Sequence, residues 1–99
     1  MDPLEQLIQE IQSYHPNLDA DLIRLAYRFA SRAHSGQKRR SGEDYIIHPL
    51  GVARVLASLQ LDLTTIVAGL LHDVVEDTDI HLEEISKHFG EEVALLVDG

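Results

Sequence analysis

The chain reads as an all-α protein. Three observations predict this: apolar residues recur at helical spacing almost throughout, residues that start and stop helices bracket each run, and no stretch alternates convincingly as a strand. About six helices gathered into an irregular bundle is the architecture these imply. Residues 1–99 make one domain at most.

Leu4, Leu7, Ile8 and Ile11 form the stripe of a first helix over residues 4–14, with Asp2 and Pro3 as its start signal. His15-Pro16-Asn17 stops it. Asn17 or Asp19 caps the second helix, which runs to about Ser35 with Leu22, Ala26, Phe29, Ala30 and Ala33 on one face. Arg24, Arg28 and Arg32 lie on the other face, and Gly36 ends it. Residues 36–44 form a polar loop, and Tyr45-Ile46-Ile47 turns back toward the core. Pro49 suits a first helical position, which places His48 at the N-cap of a third helix reaching Leu59, striped by Val52, Val55, Leu56 and Leu59. Asp62 caps a fourth helix from Leu63 to about His72 or Asp73, apolar nearly all round and therefore buried. Leu82, Ile85, Phe89, Val93 and Leu96 then belong to two short helices broken at Gly90, with Asp79 as a cap.

Composition bounds the function. The apolar fraction of 44% is that of an ordinary globular domain. A formal net charge of −9 argues against a nucleic-acid-binding face, so no DNA partner is expected. No apolar run is long enough to span a membrane, and no secretory leader is recognisable. With no cysteine there is neither a disulfide framework nor a thiolate metal site, and a cytoplasmic location is expected. Against the acidic background, Lys38-Arg39-Arg40 gathers three of the eight basic residues into one run. Such a run is either solvated loop charge or the local patch that a phosphate-bearing molecule requires.

The chemistry concentrates in His72-Asp73-Val74-Val75-Glu76-Asp77-Thr78-Asp79, directly after the apolar helix. Charge beside a buried helix needs pairing or a cation, and the negative end of the helix dipole also favours a cation. A metal site with neighbouring carboxylates for acid–base work is one reading; turn and capping residues are the other. The third and fourth helices, about 16 Å each, are joined by a short link and should pair antiparallel. That brings His48 beside His72 and Asp73, although they stand 24 positions apart.

These residues resemble a known family. His48 followed by His72-Asp73 at the end of an apolar helix is similar to the pattern of the HD metal-dependent phosphohydrolases. The segments His34-Ser35-Gly36-Gln37, Arg39-Arg40-Ser41-Gly42-Glu43, Tyr45-Ile46-Ile47-His48-Pro49, Ala68 through Thr78 and Phe89-Gly90-Glu91-Glu92-Val93 resemble, in this order, the N-terminal hydrolase domain of the bacterial RelA/SpoT homologues. The resemblance implies an HD-domain bundle and a manganese-dependent 3′-pyrophosphohydrolase of the guanine nucleotide alarmone (p)ppGpp. It implies His48, His72 and Asp73 as metal ligands, Glu76 and Asp77 as the catalytic pair acting on water, and Lys38, Arg39, Arg40 and Ser41 as substrate-binding residues. Arg40 stands where the family usually has lysine, which changes contact geometry rather than charge. A fourth ligand is expected from a helix after Gly99, so these 99 residues should be the N-terminal part of the domain, weak or inactive alone. Synthetase and regulatory domains are expected downstream in the parent chain. Exposed apolar surface near the C-terminus, with dimerisation or local disorder, follows from the same truncation. Two other readings are a related HD phosphohydrolase for a nucleotide such as NADPH, and a non-catalytic nucleotide-binding or regulatory module.

Overall fold

The structure is a computed structural model and describes residues 2–34 and 47–99, with residues 47 and 48 described by their backbone alone. The described residues contain helices and no strand. In chain order these are α1 (Pro3–Gln12), α2 (Ala20–Ala33), α3 (Ile47–Ser58), α4 (Leu63–Leu71), the single turn α5 (Val74–Asp77), α6 (Leu82–Phe89) and α7 (Glu91–Asp98).

Helix α4 is the centre. Every residue from Ile66 to Leu71 is buried, as its unbroken apolar sequence requires. It packs against α2, α3 and α7, while α1 lies across α2 and α3. Leu4, Leu7, Ile8 and Ile11 are all buried, and the Asp2 carboxylate accepts from the Leu4 amide at 2.9 Å. The Tyr14 hydroxyl, past the end of α1, donates to the Leu61 carbonyl at 2.8 Å and so anchors the α3–α4 link. Arg24 on α2 grips Glu5 on α1 with two bonds, Nε to Oε2 at 3.2 Å and Nη2 to Oε1 at 2.9 Å. Asp19, rather than Asn17, caps α2 through the Leu22 amide.

The third helix corrects the expected stripe. Its buried residues are Pro49, Leu50, Ala53 and Ala57, whereas Val55 and Leu59 are 60% and 64% exposed. The helix is apolar around most of its circumference, so spacing alone leaves its orientation open. The small side chains decide it, because alanine lets the helix axes approach where branched residues would hold them apart. Similarly, α2 buries Ile23 with Ala26 and Ala30, leaving Leu22, Phe29 and Ala33 half-buried. It ends at Ala33, with His34 as its buried C-cap.

Further boundaries shift. Helix α3 begins at Ile47, which makes His48 its second residue instead of the N-cap. Helix α4 stops at Leu71, leaving His72 as C-cap and Asp73 at the head of α5. Asp79 does not cap α6; His81 occupies that position without a side-chain capping bond. The intervening turn is instead organised by Thr78, whose hydroxyl donates to the Val74 carbonyl at 2.5 Å and accepts from the Ile80 amide at 3.2 Å. Gly90 separates α6 from α7 at φ 96°, a conformation that costs a side-chain-bearing residue but not glycine. Leu95 and Leu96 are exposed on α7, in line with the expected apolar surface, and α7 is helical as far as Asp98.

Candidate active site

The sequence of α4 delivers His72 to the end of a buried helix with its ring already oriented. Its Nδ1 lies 2.8 Å from the Gly69 carbonyl, one turn back. The carbonyl can only accept, so Nδ1 carries the proton and donates. The other nitrogen, Nε2, points to Asp73 Oδ1 at 3.1 Å. In a neutral ring that nitrogen carries a lone pair. Two electron-rich atoms meet at this distance when a proton or a cation lies between them. Adjacent ligands on an octahedral ion with bonds of about 2.1 Å are roughly 3.0 Å apart, so the pair matches neighbouring positions around one divalent ion. Asp73 heads α5 without giving its carboxylate to a capping bond. It is the more shielded of the two, with 16% of its side chain exposed against 36% for His72.

Gly69 is the residue that sequence reasoning overlooked. A Cβ there would lie 2.7 Å from Leu56 Cδ1 and 3.6 Å from Val52 Cγ1. Its missing side chain therefore lets α3 press against α4, and its carbonyl holds His72. The signal was present in the sequence as a glycine inside a helix, which costs stability unless another group needs the space. Gly69 facing Val52 and Leu56 shows where α3 and α4 touch, and the short link between them favours an antiparallel pair. The side chain of His48 lies outside the described residues, as do Lys38, Arg39, Arg40, Ser41 and Tyr45. Among the described residues no three His, Asp or Glu side chains gather into a metal-binding group. His72 and Asp73 are accordingly the two expected ligands that the structure brings together. Glu76 and Asp77 follow on the exposed turn of α5, and the Asp77 amide donates to the Asp73 carbonyl at 2.9 Å. One short turn therefore carries both the pair and the two acids.

The family pattern described as "HD domain" matches residues 26–99, which include this helical hairpin and the acidic turn. The chain belongs to the HD domain family. Relatives of this HD domain carry alarmone-enzyme names. A GTP pyrophosphokinase of Myxococcus xanthus is 52% identical over 89 residues, 90% of this chain and 12% of the relative. A guanosine-3′,5′-bis(diphosphate) 3′-pyrophosphohydrolase of Aquifex aeolicus is 52% identical over 96 residues, 97% of this chain and 14% of the relative. One of the same name from Vibrio cholerae is 51% identical over 98 residues, 99% of this chain and 14% of the relative. The resemblance to RelA/SpoT homologues is thereby confirmed. The chain spans about 12–14% of the length of these three relatives.

Proposed function

We propose that this HD domain is the N-terminal part of a metal-dependent (p)ppGpp 3′-pyrophosphohydrolase, which releases the 3′-pyrophosphate and leaves GDP or GTP. The observation that carries the reading is the His72–Asp73 pair, with Nδ1 committed to Gly69 and Nε2 left facing the carboxylate at 3.1 Å. Those two side chains, joined by His48, would hold a divalent cation, with manganese as the first choice. Such a cation acidifies water and offsets charge on phosphate oxygens. Glu76 or Asp77 accepts the proton of the attacking water, whose oxygen bonds to the phosphorus attached to the ribose 3′ oxygen. The bond between that phosphorus and the 3′ oxygen breaks, the 3′ oxygen takes a proton, and pyrophosphate departs. Lys38, Arg39, Arg40 and Ser41 supply the positive charge and hydrogen bonds that an overall anionic chain must concentrate locally. The parent enzyme is placed in the cytoplasm, with synthetase and regulatory domains following in the chain.

The test is pyrophosphate release from ppGpp with Mn²⁺, comparing this chain with one extended through the next helices of its parent. The longer form is expected to turn over and the 99-residue form to be slow or inactive. His72→Ala and Asp73→Ala should each abolish release. An inert longer form, or one unaffected by both substitutions, refutes the assignment.

A further inference from the structure

A groove lies on the outer face of α2, apart from the His72–Asp73 pair. It has a volume of about 520 Å³ and runs between α2, α6 and the turn after α5, within the range of small-molecule pockets. Leu25, Phe29, Ala33 and Ile80 form its apolar lining, and Arg28, Arg32 and His88 are the polar side chains among the described lining residues. Phe29 and His88 stand with ring centroids 5.5 Å apart, tilted by 51°. None of the described lining residues belongs to the candidate active site.

Its charge is not explained by the fold. Arg24, Arg28 and Arg32 stack at four-residue intervals along α2. Arg24 is neutralised by Glu5 and Asp21. Arg28 and Arg32 are exposed and have no acidic residue three or four positions away on either side. Like charges one turn apart weaken a helix, and this chain has acids to spare, with 17 Asp and Glu against eight Lys and Arg. Two guanidinium groups at the edge of an aromatic-lined groove suit a ligand with an anionic group beside a flat apolar body.

We propose that this groove binds a nucleoside phosphate, with the phosphate on Arg28 and Arg32 and the base against Phe29 and His88. Among the described lining residues there is no side-chain amide or hydroxyl to read a base edge. Recognition is therefore of charge and ring face, and the base is of little consequence.

The test is ¹H–¹⁵N NMR titration of the 99-residue chain with ADP, GDP, adenosine and inorganic phosphate. ADP and GDP are expected to shift Leu25, Phe29, Ile80 and His88 and to bind within about threefold of each other. Adenosine and phosphate should each bind at least about tenfold more weakly, since each satisfies only half of the site. Arg28→Gln with Arg32→Gln should weaken ADP binding by about tenfold or more while leaving the rest of the spectrum unchanged, because both side chains are exposed. His72→Ala with Asp73→Ala should leave ADP binding intact, which separates this site from the hydrolytic one. Shifts confined to residues 38–41 and 72–77, no shift in the groove at millimolar nucleotide, or an unchanged affinity in the folded double arginine variant overturns the proposal.

Discussion

Replacing Gly69 with alanine sets two opposed effects against each other at one atom. In a helix interior the substitution gains about 1 kcal/mol from backbone entropy. Against this, the new Cβ would sit 2.7 Å from Leu56 Cδ1, about 0.8 Å or more inside the ordinary carbon contact of about 3.5–4.0 Å. Relieving such an overlap in a packed interface typically costs about 1–3 kcal/mol. Leu56 is half-buried and can partly rotate away, which places the cost toward the lower or middle part of that range. Gly69→Ala should therefore lie between neutral and about 1 kcal/mol destabilising. The diagnostic quantity is a double-mutant cycle with Leu56→Ala, measured by urea denaturation. Once Leu56 is shortened the obstruction is gone, and Gly69→Ala should stabilise that background by about 1 kcal/mol, or roughly 4–8 °C in Tm. Coupling of about 1 kcal/mol or more between the two positions is expected. Additivity within about 0.5 kcal/mol would refute the argument that Gly69 exists to admit α3.

Asp62→Ala should cost about 1 kcal/mol in thermal or chemical unfolding, because its carboxylate accepts from the Thr65 amide at 3.0 Å. Hydrogen bonds from Thr65, side chain first and then backbone, hold the Asp62 carboxyl below its ordinary value of 3.8. Its folded value being the lower one, the stabilisation is complete above the unfolded value and lost as pH falls through the folded one. The gap between wild type and variant should stay constant above about pH 5 and narrow on acidification below about pH 4. Tyr14→Phe should lower stability by about 1 kcal/mol by leaving the Leu61 carbonyl without the phenol donor, measurable by denaturant titration. Val55→Thr and Leu59→Gln, on the exposed side of α3, should each change stability by no more than about 0.5 kcal/mol. A loss of 2 kcal/mol or more at either would restore the stripe that spacing suggested.

Much of this protein was legible in the sequence because the signals were local. The caps at Asp2, Asp19 and Asp62, the break at Gly90 and the burial of Ile66–Leu71 each depend on chain neighbours or on uninterrupted apolar character. The contact between His72 and Asp73 was equally visible, since adjacent residues at a helix end need no tertiary fold to meet. What the sequence left open was orientation. Helix α3 is apolar on most sides, so only packing against its neighbours α1 and α4 could select Ala53 and Ala57 for the core and turn Val55 and Leu59 outward. Asp79 lost its capping position to His81 because Thr78 tied the turn to the Val74 carbonyl first. The close approach at Gly69 and the groove over Arg28 and Arg32 arise from surfaces of separate helices, and no local pattern encodes the distance between them. Composition and spacing determine which helices form and which residues are candidates for chemistry; side-chain volume at the helix contacts decides which faces meet.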